Sequence, residues 1–161
     1  MQRLPSYTVI RDTREQQDHG WIFEPEEKVG GKCQILGTKI EKLDAGDYSV
    51  VGLEDKVVIE RKNGFGELFT NMTPKANKVR FENEMARMVN IPHKYILIES
   101  CLNKDILTLG IPQHSYGPPC SKVMEWLIEL GLNYNIHVMF TGDAGKRVAR
   151  RIFAQAARMY L

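Results

Sequence analysis

The sequence lacks most of the features that would settle a function quickly. No run approaches the about 18 apolar residues of a membrane span, so no membrane-spanning helix and no membrane partner are expected. Met1 is not followed by the charged and apolar segments of a secretory leader. Only three cysteines occur, Cys33, Cys101 and Cys120, widely spaced and without a C-x-x-C pair. Neither a zinc site nor a disulfide framework is indicated, and reduced thiols packed as small hydrophobes in a cytoplasmic protein are the simplest expectation. The four histidines are scattered, with no two at metal-ligand spacing. Gly30-Gly31 lacks the further glycines and the Lys-Ser/Thr of a P-loop, so no nucleotide cofactor is expected. The formal net charge is +2, so bulk charge gives little evidence for nucleic acid and any basic surface must be local.

What is present is a chain of 161 residues with an ordinary hydrophobic share of 43%, enough for one domain with a sizeable core. Its chemistry concentrates in Ala45-Gly46-Asp47-Tyr48-Ser49 and Val57-Val58-Ile59-Glu60-Arg61-Lys62. Both runs read as neighbouring strands. Val57, Val58 and Ile59 are β-branched and favour a buried strand, which then ends in three charges. Buried charges need partners. Alternation along a strand sends Glu60 and Lys62 to one face and Arg61 to the other, with Asp47 able to converge from the preceding strand. Two carboxylates offer hard oxygen ligands suited to magnesium or manganese, and Lys62 can orient water or steady developing charge. The set suits phosphodiester hydrolysis. The bland reading of the same spacing is a Glu60–Lys62 ion pair with Asp47 capping a turn, and it carries similar weight.

The order Gly46-Asp47, then Glu60-Arg61-Lys62, resembles the nuclease motif of XPF-type structure-specific endonucleases, G-D followed by E-R-K-x-x-x-D. Asp12-Thr13-Arg14-Glu15, Leu43 to Tyr48, Arg80-Phe81 with Glu84-Met85, and Tyr95 to Glu99 are similar to further pieces of that family, in order, over about residues 7 to 155. The resemblance implies a restriction-endonuclease-like α/β core, a central mixed sheet of about five or six strands flanked by helices. It implies a metal-dependent DNA endonuclease acting on branched, flap or fork DNA in repair or recombination. Asp47 and Glu60 would bind Mg2+ or Mn2+, with the Arg61 carbonyl as a further candidate ligand, and Lys62 would complete the site. Arg61 would anchor its strand by pairing with a carboxylate. Asp12 and Glu15 would form an outer acidic shell, and Arg14 and Arg80 would contact phosphate or carboxylate. The family's last Asp falls at Gly66, with Glu67 one position later: either a helix starting near Asn63 brings Glu67 toward the site as a second-tier acidic group, or that acidic position is lost. A single nuclease domain over 1–161, without a helix-hairpin-helix module, is expected, in a cytoplasmic bacterial or phage setting. DNA is the expected partner, with a homodimer or partner subunit left open. The alternative is a catalytically inert DNA- or partner-binding module on the same scaffold.

Along the chain, strands are expected at Tyr7–Arg11, Cys33–Leu43, Tyr48–Val50, Val57–Lys62, Lys94–Glu99 and Ile136–Phe140. Helices are expected at Phe65–Met72, Lys78–Asn90, Ser121–Leu130 and Ala144–Tyr160. Thr70 to Ala76 reads as a polar loop, Ser121 as an N-cap, Gly131 as a helix stop and Asp143 as a cap. Phe81, Met85, Met88 and Val89 should form one buried face, and Val148, Ile152, Ala156 and Met159 another. Arg80, Glu84 and Arg87 form a stripe read as surface ion pairs. Cys101 to Cys120 reads as loop, with one helical turn at Lys104–Leu109 and with His114 and Tyr116 as minor candidates. The basic face of the last helix can follow a phosphate backbone, although a solvated face is its usual meaning.

Overall fold

A computed structural model describes residues 5–26, 34–103 and 120–161. Among these, six strands form one mixed sheet: β1 Ser6–Arg11, β2 Gln34–Ile40, β3 Tyr48–Val50, β4 Val57–Lys62, β5 His93–Ile98 and β6 His137–Phe140. Four helices flank it: α1 Phe65–Met72, α2 Lys75–Arg87, α3 Cys120–Tyr134 and α4 Gly145–Tyr160. The strand order is β2-β1-β3-β4-β5-β6. β3 runs antiparallel to both of its neighbours, and the other pairings are parallel. Five strands therefore end at one edge of the sheet, where β3 begins. The sheet thus gathers Asp12, Asp47 and Glu60 from three adjacent strands.

β4 is buried along its whole length, with helices on both faces. Val58, Ile96 and Ile98 point into a core shared with Phe65, Leu68, Phe81, Met85, Trp126 and Leu127 of α1, α2 and α3. Val57, Ile59 and Leu97 point into a second core with Tyr48, Trp21, Phe23 and Phe153 of α4. The alternation expected for a central strand is what divides these side chains. Gly46 is required where the chain turns into β3. Its φ is +75°, and a Cβ there would lie 2.2 Å from Val58 Cγ2.

Several expectations shift. Thr70 to Ala76 is not a polar loop: α1 continues to Met72 and α2 begins at Lys75. Pro74 precedes the first turn of α2 without costing it a hydrogen bond, and Asn77 Nδ2 ties the junction by donating to the Thr70 and Thr73 carbonyls. α2 ends at Arg87, so Val89 is exposed while Met88 stays buried. Ser121 lies inside α3 rather than capping it. Gly131 does not stop α3, which runs on to Tyr134 and ends at Asn135, whose φ is +54°. The Ile136 N–H then donates to the Gly131 carbonyl at 3.1 Å, the long bond of a Schellman turn. Asp143 is exposed in a 3-10 turn and does not cap α4, where Ala144 holds that position. The buried face of α4 is Ala149, Phe153, Ala156 and Ala157. Val148 and Ile152 flank it, and Met159 is exposed, because the Phe153 ring takes the place against the sheet. Cys120 is buried, but Cys101 is exposed, against its expectation. Cys33, Lys104–Leu109, His114 and Tyr116 lie outside the described residues.

Candidate active site

A depression of about 190 Å³ opens at the edge where β1, β3 and β4 meet, lined by Asp12, Arg14, Gly46, Asp47, Glu60, Glu84 and Arg87. β3 and β4 pair at Tyr48 and Ile59, which sets Asp47 beside Glu60 on the face of α1 and α2. The Asp47 N–H donates to the Ile59 carbonyl at 2.9 Å. Its carboxylate Oδ2 accepts from the Arg61 N–H at 2.7 Å, so the strand itself aims this side chain. Lys62 Nζ lies 3.0 Å from Glu60 Oε1 and 3.7 Å from Glu67 Oε1. The ammonium also sits 4.5 Å from the centre of the Phe81 ring, a cation–π seat supplied by α2. Glu67, in the first turn of α1, accepts from the Asn63 N–H through Oε2 at 2.7 Å. A carboxylate one position beyond Gly66 thus reaches Lys62 from the start of the helix.

Burial, then the charges of Glu60 and Glu15, pushes the Asp47 carboxyl well above the ordinary carboxylate range. Burial also raises Glu60; Lys62 opposes this, while Glu84 and Glu67 add to it. Burial works against the Lys62 ammonium, but Glu60, Glu67 and Asp47 outweigh it and hold its pKa above the ordinary value. Three carboxyl groups, Asp47, Glu60 and Glu67, thus act on one ammonium. Asp47 Oδ1 and Glu60 Oε2 accept no hydrogen bond from the described residues. Hard oxygens facing a small depression fit a divalent cation of the magnesium or manganese kind. Asp47 and Glu60 are the residues to hold it. Among the described residues no cluster of three or more Asp, Glu, His or Cys side chains has the geometry of a ready metal cage.

Asp12 differs from its neighbours. Oδ1 accepts from the Arg14 N–H at 2.8 Å and from Arg14 Nε at 2.7 Å, while Oδ2 accepts from the Leu43 N–H at 2.6 Å. Burial opposes its charge, but the bonds from Arg14 and Leu43 prevail and hold its pKa low. Asp12 fixes Arg14 at the rim, where Arg14 also donates to the Leu43 carbonyl. It lines the depression, yet its oxygens are already committed.

Arg61 and Glu15 are placed on the other face. Arg61 Nε donates to Glu99 Oε1 at 2.5 Å, Nη1 lies 3.7 Å from Glu15 Oε1, and the guanidinium stands 5.5 Å from the Trp21 ring centre. The Arg61 side chain thus anchors β4, as expected of it, and is not in the depression. Glu15 is not in an outer shell lining the depression; it reaches Asp47 only through its charge, because the turn after β1 carries it toward Arg61 and Tyr48. Arg80 is exposed and does not line the depression. Glu84 and Arg87, further along the same stripe of α2, do line it. Helical spacing shows that these three share a side of α2. Which part of that side reaches the sheet depends on how Phe81 and Met85 pack, and the sequence alone does not reveal this.

A family model, the ERCC4 domain, matches residues 11–148. No curated protein matches the chain. Among solved structures, the fold is similar to XPF from Aeropyrum pernix, with 16% identity and a TM-score of 0.54, over 94% of this chain and 60% of that one. It is also similar to XPF from Aeropyrum pernix in complex with DNA, with 18% identity and a TM-score of 0.56, over 92% of this chain and 64% of that one. The chain thus spans less than two thirds of the length of these structures, and at such identities the likeness is one of fold. With its sheet, its strand-end carboxylates and a family match over most of its length, this chain belongs to the ERCC4 domain family.

Proposed function

We propose that this chain is a metal-dependent DNA endonuclease, cutting branched, flap or fork DNA in repair or recombination. The observation that carries the reading is the pairing of Asp47 with Glu60 in one depression, with Lys62 Nζ 3.0 Å from Glu60. A buried ion cluster is weak evidence for stability, since an apolar set of the same volume often does as well. The convergence of three charged groups, Asp47, Glu60 and Lys62, at one edge of the sheet is better explained by chemistry. The ERCC4 domain match and the DNA held by Aeropyrum pernix XPF support nucleic acid as the substrate.

Asp47 and Glu60 would hold magnesium or manganese, which supplies polarisation of a phosphoryl oxygen and a lowered pKa for water. Lys62 stays charged at neutral pH, held by Glu60, Glu67 and Asp47, and supplies a fixed positive point beside the reacting group. Arg14 and Arg87 line the depression and would orient flanking phosphates. The Arg61 N–H bond keeps the Asp47 carboxylate turned inward, so little reorganisation is needed.

The test is cleavage of labelled flap, fork, duplex and single-stranded DNA with EDTA, magnesium or manganese, by wild type and Glu60→Gln. Metal-dependent cleavage that falls by about two orders of magnitude or more in the variant is the expected result. Wild-type rates in Glu60→Gln would overturn the assignment. Gly66, where the family motif has its last Asp, favours a second reading, an inert module that binds DNA or a partner. Manganese calorimetry separates the two: binding by wild type and none by Asp47→Ala supports the nuclease, and no binding by either supports the inert module.

A further inference from the structure

α4 carries Lys146, Arg147, Arg150, Arg151 and Arg158 and no acidic residue. The whole chain has a formal net charge of only +2, so the remainder is net acidic and the net positive charge is concentrated on one helix. Beside that helix runs a groove of about 590 Å³, lined by Tyr7, Arg147, Arg150, Arg151, Gln155 and Arg158. It lies on the α4 side of the sheet, whereas the acidic depression opens on the side of α1 and α2. Arg150 is paired with Glu26. Arg147, Arg151 and Arg158 are exposed and form no ion pair with the described residues.

The helix gains nothing internally from this row. Arg147 lies three residues from Arg150 and four from Arg151, spacings at which like charges repel. Lys146 and Arg147 stand in the first turn, the end where the helix dipole disfavours cations. From Arg147 to Arg158 the axis rises by roughly 16 Å, which matches about five phosphates of one strand at ~3.4 Å of duplex axis each. α4 begins beside Glu99 and Trp21 at the edge that holds the depression, and it ends where Tyr160 meets His93 at 2.8 Å, at the opposite edge. We propose that this groove is a second nucleic-acid contact, which takes the phosphate backbone of a duplex on the face of the sheet opposite the depression. The contact is expected to be sequence-independent, because a row of guanidinium groups matches the phosphates of one strand.

The experiment measures binding of a labelled DNA duplex of about 30 base pairs in EDTA at several salt concentrations, by fluorescence anisotropy. Arg147→Gln/Arg151→Gln/Arg158→Gln should bind at least tenfold more weakly at low salt. Its slope of log K against log salt should fall by about 2 to 3, near 0.9 for each phosphate that is no longer neutralised. Glu26→Gln, which releases Arg150, should tighten binding and steepen the slope. A folded triple variant with wild-type affinity and slope overturns the proposal. If the triple variant does not fold, Glu26→Gln decides: an unchanged slope overturns it and a steeper one supports it. No cleavage is measured, so failure of the nuclease reading leaves this result independent.

Discussion

Asp12 shows how far neighbouring carboxylates can diverge in role. Its folded pKa lies below the ordinary value of 3.8, so ionised Asp12 stabilises the fold above that pH. The contribution is lost as pH falls through the folded value. Asp12→Asn keeps the shape but turns an amide donor toward Arg14 or the Leu43 N–H, and it should cost about 1–3 kcal/mol at neutral pH. Urea midpoints of both proteins from neutral pH down to about pH 2 should converge in acid; a gap that stays constant would contradict this role. Asp47, Glu60 and Lys62 are legible in the sequence because strand alternation is local geometry and their order resembles a family motif, whereas Glu67 reaches Lys62 only through the first turn of α1. Arg61 is assigned to the far face by the same rule. Glu84 and Arg87 cannot be placed that way, since the side of α2 that meets the sheet is set by the packing of Phe81 and Met85. Glu15 sits in an aperiodic turn after β1, where nothing local says which face it joins.

Among the elements, the entry into β3 is the most demanding. Gly46 and Gly52 both have positive φ, +75° and +81°, but a Cβ at Gly52 would meet nothing within 4 Å. Gly52→Ala therefore measures the backbone cost alone. Gly46→Ala adds the collision with Val58 and should lose about 1–3 kcal/mol more. Thermal melts of the two variants compare them directly, and equal losses would refute the close-packing argument. The strands are written in the sequence but their order is not, because register and neighbours arise from long-range pairing. α3 runs longer than its sequence suggests, because a glycine usually marks a stop. In the fold Gly131 stays helical, and the left-handed position falls to Asn135, a residue that tolerates it. The buried face of α4 lies about one residue away from the expected one, since small alanines give a weak periodic signal and Phe153 decides the orientation.

At the scale of the molecule, a near-neutral total conceals an acidic depression on one side of the sheet and a basic helix on the other. The order in which the sheet can assemble is a further consequence of its topology. Among the paired strands of the described residues, only β3 and β4 are joined by a short connection, and every other pairing brings together strands separated by long intervening segments. Closing such loops costs entropy before the contacts repay it, which places the chain among the slower mixed α/β folders, in the millisecond-to-second range. Stopped-flow refolding checks this, and completion within tens of microseconds would contradict it. The hairpin able to form first is the one that sets Asp47 beside Glu60. Where that hairpin forms first, like charges meet at the opening step of folding, with Lys62, carried on the same strand, as the counter-charge already in place.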